Sequence, residues 1–324
     1  MFLKDKKILV TGGKGFLGSY VVRELVKFGV DPKNIFSPSS KEVDLRELNA
    51  CKKVVKGMDV IIHLAGKIGG IGLNREKPGE LFYDNIIMGA QLMEEARRAG
   101  VKKFVSIGTV CAYPNITEIP FKEDNLWNGY PEETNAPYGL AKKMLLVQGQ
   151  AYKKQYNFNS IFLLPVNLYG PGDDFNPERS HVMPAMIKRV YEAKQNKKNH
   201  IDVWGTGRAT REFLYVEDAA RGIVHATEKY NSIEPVNLGS GMEISIKNLN
   251  KLICKILNYK GEIRWDKSKP DGQLRRCLDV SRAKKEFGFM ASVDFEEGVK
   301  KTIDWYLSTQ NVNLRNGKGG RKKI

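Results

Sequence analysis

The sequence predicts an α/β fold, a doubly wound parallel sheet followed by a smaller mixed α/β region. Short β-type runs alternate with longer segments of helical periodicity through the first 170 or so residues. A glycine-rich turn joins the first of these strands to the first helix. Because repeated strand–helix–strand connections are right-handed, they build a parallel sheet with helices on both faces.

The predicted strands are short apolar or β-branched runs at Lys6–Gly13, Asn34–Ser40, Asp59–Gly66, Lys102–Thr109 and Ser160–Pro171. Helical spacing of apolar residues predicts helices over Phe16–Phe28, Glu80–Ala99 and Pro137–Tyr156. Gly100 follows the second helix as a C-cap glycine.

After Pro171 the pattern loosens, and a helix from about Met183 precedes smaller mixed segments. We therefore expect a first domain over residues 1–172, joined by returning segments near 203–240. A smaller second domain is expected over 173–310, followed by a flexible basic tail over 311–324.

Composition and cysteine usage exclude several classes of protein. The chain has 324 residues, 41% hydrophobic and 28% charged, which is typical of a globular protein and not of a disordered one. No apolar run approaches the roughly 18–20 residues of a membrane span, and the N-terminus lacks a signal-peptide pattern. The four cysteines lack metal-ligand spacing. We expect a cytoplasmic protein with no metal site and no membrane partner.

The formal net charge of +16 suggests an anionic partner. Removing the five Lys and Arg residues from Arg315 onward still leaves about +11. The sequence contains no basic stripe interleaved with aromatic residues, so we expect no nucleic-acid partner. A phosphate-rich small molecule accounts for local basic residues equally well, and a Lys-rich solvated surface is the plainer alternative.

The glycine turn predicts a dinucleotide site of the Rossmann type. Gly12, Gly15 and Gly18 follow the first strand and open the first helix. They allow a tight turn, a close approach of backbone to a pyrophosphate, and close helix–sheet packing, while the helix N-terminus stabilises the anion. The candidate cofactor-binding residues here are Gly12, Gly13, Lys14, Gly15, Phe16, Leu17 and Gly18.

The end of the second strand predicts which dinucleotide binds. An acidic residue there accepts hydrogen bonds from the adenosine ribose and favours NAD. This sequence has Ser37, Ser39, Ser40 and Lys41 instead, and we expect no carboxylate there to repel a 2′-phosphate. Hydroxyls and an ammonium suit a 2′-phosphate, so we expect NADP (NADPH). A solvated Ser-rich turn is the alternative.

Three polar residues form a candidate catalytic group. Tyr138 and Lys142 stand four residues apart in YGLAK and so share one helix face. A neighbouring ammonium is expected to lower the phenol pKa and make Tyr138 a usable acid or base. Thr109 ends the fourth predicted strand at the carboxyl edge of the sheet, where its hydroxyl can share a substrate carbonyl with Tyr138.

With these motifs the chain resembles the extended short-chain dehydrogenase/reductase superfamily over nearly its whole length. Further segments are similar to the GDP-L-fucose synthase family: HLAGKIGGI (His63–Ile71), TVCAYP (Thr109–Pro114), NAPYGLAK (Asn135–Lys142), PVNLYGPGDDF (Pro165–Phe175), SHVMPAMIKR (Ser180–Arg189), VWGTGRATREFLYVED (Val203–Asp218) and KPDG (Lys269–Gly272). Cys111 and His181 within these segments are specific to that branch. The family usually has Ser at the position of Thr109. Threonine keeps the hydroxyl of serine, but its branched side chain is stiffer.

The resemblance implies a two-step enzyme that converts GDP-4-keto-6-deoxy-D-mannose to GDP-L-fucose with NADPH. It implies that Cys111 is the base and His181 the acid of the epimerisation at C3 and C5. Thr109 and Tyr138 then stabilise the enolate, and Lys142 holds Tyr138 and the nicotinamide ribose. It also implies a homodimer through the helices Glu80–Ala99 and Pro137–Tyr156. Further cofactor contacts fall on Leu64, Ala65, Gly66, Lys142, Pro165, Asn167, Leu168 and His181.

By the same resemblance, the substrate contacts are Arg189, Trp204, Arg211 and Asp271. Arginine offers a bidentate fork to a diphosphate, and Trp204 offers an aromatic face. Each also has a structural interpretation: Trp204 as core, Arg211 paired with a neighbouring glutamate, and Asp271 as a turn former.

Two other classes of function stay open. One is another nucleotide-sugar epimerase or 4-ketoreductase, such as a GDP-mannose 3,5-epimerase or a UDP-sugar 4-epimerase. Many of those epimerases have an acid at the end of the second strand, and the missing acid in this sequence argues against them. The other is a non-catalytic protein on this fold that binds NADPH or nucleic acid, although the intact Tyr138–Lys142 pair, together with Cys111 and His181, argues for catalysis.

Overall fold

The computed structural model describes residues 1–69, 71–176, 180–269 and 271–318. Its strands are β1 (Ile8–Thr11), β2 (Ile35–Phe36), β3 (Val60–His63), β4 (Lys103–Ile107), β5 (Ser160–Pro165), β6 (Asn167–Tyr169), β7 (His200–Trp204), β8 (Thr210–Tyr215), β9 (Val236–Leu238), β10 (Glu243–Ser245) and β11 (Glu262–Asp266). Its α-helices are α1 (Phe16–Lys27), α2 (Leu48–Val54), α3 (Ile71–Glu76), α4 (Pro78–Arg98), α5 (Ala136–Tyr156), α6 (Val182–Gln195), α7 (Val216–Lys229), α8 (Ile246–Ile256), α9 (Ser281–Phe287) and α10 (Phe295–Lys318).

The main sheet is parallel throughout and has six strands in the order β2-β1-β3-β4-β5-β9. Every residue of β1, β3, β4, β5 and β9 is buried, so both faces of the sheet are covered. Helices α4 and α5 pack together, and α1 and α7 form a second pair. The predicted doubly wound α/β fold is confirmed.

The position of β1 creates the ligand crevice. Strand β1 lies between β2 and β3, and the chain order runs in opposite directions on its two sides. In open parallel sheets, ligands bind outside the carboxyl ends of the strands at such a reversal. The residues that follow β1 and β3 therefore line the crevice where this rule places a ligand.

A second region has its own small sheets and core. Strand β8 pairs with β6 in parallel and with β10 in antiparallel orientation, while β7 and β11 form a parallel pair. Helices α6, α8 and α10 contribute Ile187, Ile253 and Ile303 to a core separate from that of the main sheet. The later strand β9 pairs with β5, so the chain returns to the first sheet after entering the second region.

Three local expectations differ from the structure. The strand predicted over Ser160–Pro171 is two strands in different sheets, because β5 ends at Pro165 and β6 turns to pair with β8. Proline lacks an amide donor, which favours a break at that point. The second strand is reduced to Ile35–Phe36. Helix α10 continues through residues 311–318, where a tail was expected, and residues 319–324 lie outside the described residues.

No α-helix in the described part of the chain is long and apolar enough to cross a membrane.

Candidate active site

The glycine turn after β1 has a shape that side chains would destroy. Gly12 has a φ of +70°, and a Cβ there would lie 2.9 Å from the amide nitrogen of Ala65. A Cβ on Gly18 would overlap the carbonyl oxygen of Gly12. Both positions therefore require glycine for β1, β3 and α1 to approach one another closely.

The start of α1 is a free anion site. Gly15 is its N-cap, no side chain caps the helix, and its first turn contains no acidic residue. The Gly15 amide donates to the Gly12 carbonyl at 2.9 Å, which closes the turn and leaves the next amides for a ligand. Phe16 and Leu17 supply those amides, so the residues present fit a dinucleotide pyrophosphate.

The adenosine end of the crevice already contains a carboxylate. The Ser39 amide and hydroxyl donate to Oε2 of Glu42 at 2.6 and 2.7 Å, and Lys14 Nζ donates to the same oxygen at 2.9 Å. These donors hold the pKa of Glu42 at about 2, the amide of Ser39 having the largest effect. The interpretation that this segment lacks a carboxylate is therefore wrong. Ser40 and Lys41 are exposed beside it.

The residues after β3 pack against β1 and face the lysine of α5. The amides of Leu64 and Ala65 donate to the carbonyl and side-chain oxygens of Thr11, each at 3.2 Å. A Cβ on Gly66 would lie 3.5 Å from Lys142 Nζ, so this glycine leaves room for the ammonium. His63 is fully buried, its Nδ1 lies 2.9 Å from Thr11 Oγ1, and burial holds its pKa well below the usual value.

The junction of β5 and β6 lies between the main sheet and the second region. Pro165 ends β5, and Asn167 and Leu168 belong to β6. Asn167 Nδ2 donates to the backbone carbonyl of Glu212 at 2.9 Å, which joins this junction to β8. The junction therefore stands where the two regions of the protein meet.

Thr109 and Cys111 lie on a short 3-10 turn after β4. Thr109 Oγ1 accepts a hydrogen bond from the Cys111 amide at 3.2 Å, so the hydroxyl proton stays available for a substrate oxygen. Cys111 is a half-buried free thiol. A Cβ on Gly139 would overlap the Cys111 carbonyl, which shows how closely the start of α5 packs on this turn. That packing places Tyr138 beside the thiol.

The pKa values of the Tyr138–Lys142 pair differ from the expectation. Burial, with a smaller contribution from Cys111, raises the pKa of Tyr138 above its usual value, and Lys142 does not offset it. The expected lowering by Lys142 is wrong, because desolvation of the phenolate dominates. Burial also lowers the pKa of Lys142 to about 8, and its side chain is only 3% exposed. Tyr138 is thus held as the protonated phenol.

Lys142 has no hydrogen-bonded partner for its ammonium among the residues whose side chains are described. A buried lysine without such a partner is costly unless a ligand supplies one. Its position beside Gly66, among the residues that follow β3, fits the ribose hydroxyls of a bound nicotinamide nucleotide.

His181 lies on the other region, as the N-cap residue of α6, and its side chain does not cap the helix. Burial lowers the pKa of its imidazole, and Asp174 opposes this shift. The residue as a whole is exposed at the start of the helix. No contact joins His181 to Cys111 in the described residues, so their opposition across a sugar ring stays a prediction.

Two of the predicted substrate residues, Arg189 and Trp204, lie at β7. Arg189 Nη1 donates to the backbone carbonyl of Asp202 at 2.7 Å, which holds the side chain of α6 against this strand. Trp204 ends β7 and is 67% exposed, so the interpretation of Trp204 as a core residue is wrong. Lys269 Nζ lies 5.8 Å from the centre of its ring.

Arg211 lies in a cluster of positive charge. Its Nη1 donates to the backbone carbonyls of Thr210 and Gln273, each at 2.7 Å, and no carboxylate bonds to it in the described residues. The alternative pairing with a glutamate is thus not seen. Burial and the neighbouring Arg276 lower its pKa to about 10. A guanidinium in this state is suited to an anionic ligand.

Asp271 has a structural contact. Its Oδ1 accepts from the amide of Thr206 at 2.6 Å and its Oδ2 from the hydroxyl at 2.7 Å. It therefore closes the loop after β7 over the segment that carries Arg211, and a substrate contact would use its remaining lone pairs.

Two functional candidates were missed by the sequence reasoning. Glu42 lies three residues after Ser39, the S-x-x-E spacing of a capping box, so a local signal existed. Arg276 lies 3.6 Å from the Cys111 sulfur across 165 residues of sequence, and no local pattern announces that contact.

Comparison with known proteins agrees with this geometry. Residues 8–239 match the NAD dependent epimerase/dehydratase family. A probable GDP-L-fucose synthase 1 from Oryza sativa subsp. japonica is 36% identical, over 94% of each chain. A GDP-L-colitose synthase from Yersinia pseudotuberculosis is 34% identical, over 94% of this chain and 99% of its own.

Among solved structures, a GDP-L-fucose synthetase from Naegleria fowleri bound to NADP superposes with a TM-score of 0.84 at 30% identity, covering 95% of this chain and 96% of its own. Together with the glycine turn, Tyr138, Lys142 and Cys111, these similarities show that the chain belongs to the NAD dependent epimerase/dehydratase family, in the group that contains the GDP-L-fucose synthases.

Proposed function

We propose that this enzyme converts GDP-4-keto-6-deoxy-D-mannose to GDP-L-fucose in one cleft, by 3,5-epimerisation and then NADPH-dependent reduction at C4. The observation that carries the proposal is the position of Cys111. It is a half-buried thiol beside Tyr138, next to cationic side chains, at the carboxyl edge of the sheet. A 4-reductase that leaves C3 and C5 unchanged has no use for a titratable thiol there.

Epimerisation uses the acidity of the C–H bonds on either side of the C4 ketone. Cys111 takes the proton from C3 or C5, and the electron pair of that bond moves onto the carbonyl oxygen. The hydroxyls of Thr109 and Tyr138 donate to this oxygen and stabilise its charge. His181 returns a proton on the opposite face of the sugar ring, and an anionic substrate favours the imidazolium form that it needs.

Reduction uses Tyr138 as the acid. NADPH, when bound, would supply the hydride for C4, and Tyr138 would give its proton to the C4 oxygen. Its raised pKa means that the phenol enters this step with its proton in place. Lys142 orients the phenol and the nicotinamide ribose through its buried ammonium.

Cofactor binding is assigned to the glycine turn, the residues after β3 and the β5–β6 junction. The amides of Phe16 and Leu17 hold the pyrophosphate, and Lys14 with Ser39 hold the 2′-phosphate. The NADP-bound relative from Naegleria fowleri supports this choice of cofactor. Ser40 and Lys41 are further phosphate contacts within reach of the solvent.

The GDP moiety is assigned to the second region. Arg189 and Arg211 bind the diphosphate, Trp204 packs on the nucleoside, and Asp271 keeps the loop after β7 closed. The exposure of Trp204 supports a ligand contact, because a bound nucleoside would cover the ring.

Two further proposals concern the protein in its setting. We place it in the cytoplasm, since its four cysteines are all free.

We infer a homodimer through α4 and α5, which pack together and expose Phe82, Tyr83 and Val147 to solvent. Light scattering should give twice the 36.6 kDa mass, and Tyr83→Glu should halve it, whereas Leu274→Glu on another exposed surface should not.

The test is a panel of nucleotide 4-ketosugars incubated with the protein and either NADPH or NADH. One mole of NADPH should be oxidised per mole of GDP-4-keto-6-deoxy-D-mannose, read at 340 nm, and NMR should identify GDP-L-fucose. The 3-deoxy counterpart belongs in the panel because of the similarity to the Yersinia GDP-L-colitose synthase. Epimerised sugar formed without loss of NADPH would contradict the proposal and favour a pure epimerase.

A further inference from the structure

Arg276 contacts the sulfur of Cys111 directly. Its Nη1 donates to Sγ at 3.6 Å, within hydrogen-bonding distance for sulfur. The thiol is half-buried at this point, so water screens the interaction less than at an open surface. A guanidinium at this distance attracts negative charge that develops on the sulfur.

The side chain of Arg276 is held in place by neutral partners. Its Nε donates to Gln273 Oε1 at 3.1 Å, and Gln273 Nε2 donates to the Asn115 carbonyl at 3.0 Å. The Arg276 carbonyl accepts from the Glu212 amide at 3.1 Å, which fixes the backbone against β8. In the described residues no carboxylate pairs with Arg276, so its charge is directed at the cysteine without being neutralised.

The carboxylates of Asp271 and Glu243 lie near Arg211, but in the described residues they bond to Thr206 and Arg275 and not to Arg276. Arg211 is a second cation in the same electrostatic group, and Tyr138 carries its proton. The adjacent Arg275 is different, because both its Nε and Nη2 bond to the carboxylate of Glu243, at 3.1 and 2.7 Å. Two successive arginines thus have opposite environments, and only Arg276 is directed at the thiol.

We propose that Arg276 is a positioning residue that orients the Cys111 side chain and stabilises negative charge on its sulfur, and so prepares it to remove the C–H protons next to the ketone. The proton passes from carbon to Sγ, and the electron pair of the C–H bond moves to the C4 oxygen. The effect of Arg276 on proton removal rests on the proposed function. The effect of Arg276 on the Cys111 sulfur in the substrate-free enzyme does not depend on that function.

The experiment measures alkylation of Cys111 by iodoacetamide in the substrate-free protein. The pH runs from about 5.5 to about 9.5, so that it brackets the pKa of about 8.5 of a free cysteine. Iodoacetamide is uncharged, so arginines do not attract it. Mass spectrometry of peptides separates Cys111 from Cys51, Cys254 and Cys277, which are all buried. The variants are Arg276→Gln, Arg276→Lys and the matched control Arg275→Gln.

Arg276→Gln should slow alkylation at pH 7 about tenfold and move the midpoint of its pH profile up by about one unit. Arg276→Lys keeps a positive charge and should restore most of the rate, which guards against an effect of misfolding. Arg275→Gln should match the wild type. An unchanged rate and midpoint in Arg276→Gln would overturn the proposal.

Substrate kinetics separate this role from simple substrate binding. Exchange of C3 and C5 protons should show a lower kcat in Arg276→Gln, with the loss shrinking at high pH. A raised KM with an unchanged kcat and unchanged alkylation would make Arg276 a substrate ligand and overturn the proposal. Absence of any exchange in the wild type would count against the proposed function while leaving the alkylation result valid.

Discussion

The two halves of the cleft are shaped by different groups, the cofactor half by backbone and the substrate half by side chains. In the cofactor half, backbone geometry sets the shape, since a side chain on Gly12 or Gly18 would collide with backbone. In the substrate half, long side chains such as Arg211 and Trp204 project from strands and loops. The first half is therefore intolerant of a side chain at Gly12 or Gly18, whereas the second half can change its ligand by exchange of side chains.

The charges of the two halves differ as well. Lys14 in the cofactor half already bonds to Glu42, at the exposed surface. In the substrate half, Arg211 and Arg276 have no carboxylate bonded to them within the described ranges, and burial lowers the pKa of Arg211 to about 10. The substrate half thus holds two guanidinium groups without a bonded carboxylate, near Asp271 and Glu243, and an anionic ligand could bond to them directly. The predictions that follow test this division.

The largest effect is expected where the halves meet. Tyr138→Phe removes the proton needed at the C4 oxygen and should reduce the rate of NADPH oxidation by about 10²–10⁴-fold. Proton exchange at C3 and C5 should persist at a reduced rate, because Cys111 and Thr109 are intact. Deuterium uptake measured by mass spectrometry reads exchange apart from reduction. Loss of NADPH binding as the main defect would make Tyr138 a structural residue.

The cofactor half should fail when a side chain is added to its turn. Gly18→Val places atoms on the Gly12 carbonyl and should weaken NADPH binding by about 100-fold, with an unfolding free energy lowered by about 1–3 kcal/mol. Gly79→Ala is the control, because it lies in the first turn of α4 with open space around it. Fluorescence titration with NADPH compares them, and equal affinities would refute a backbone-built site.

The affinity for NADPH should fall above pH 8. Lys142 is charged below its pKa of about 8 and neutral above it, so its attraction for the cofactor is lost as the pH rises. If only the charged form binds, the dissociation constant increases by up to about tenfold per pH unit above 8. Lys142→Arg stays protonated over this range and should show a flat profile. The same fall in both proteins would assign the effect to another group.

The smallest effect is expected at Glu42. Glu42→Gln keeps the shape but removes the negative charge that engages Ser39 and Lys14, so NADPH should bind a few-fold more tightly. Binding of NADH, which lacks the 2′-phosphate, should not change. Weaker NADPH binding in the variant would instead show that Glu42 organises the turn for the cofactor.

The sequence predicted the cofactor half better than the substrate half, for a physical reason. The glycine turn and the Tyr138–Lys142 spacing are local, and short-range sterics determine both. Burial of Tyr138 depends on how α5 packs on the turn at Cys111, so its raised pKa was not visible from helical spacing. The Arg276–Cys111 contact joins segments 165 residues apart, and the fold alone brings them together.

The central claim is that Cys111 performs epimerisation in the same cleft where Tyr138 serves reduction. The most direct measurement runs the reaction of wild type and Cys111→Ser in deuterated water with NADPH, and follows deuterium at C3 and C5 by NMR. A serine hydroxyl stays protonated near neutral pH, so the variant should still oxidise NADPH but release sugar without deuterium at these carbons. Deuterium incorporation at the wild-type rate in Cys111→Ser would contradict the account.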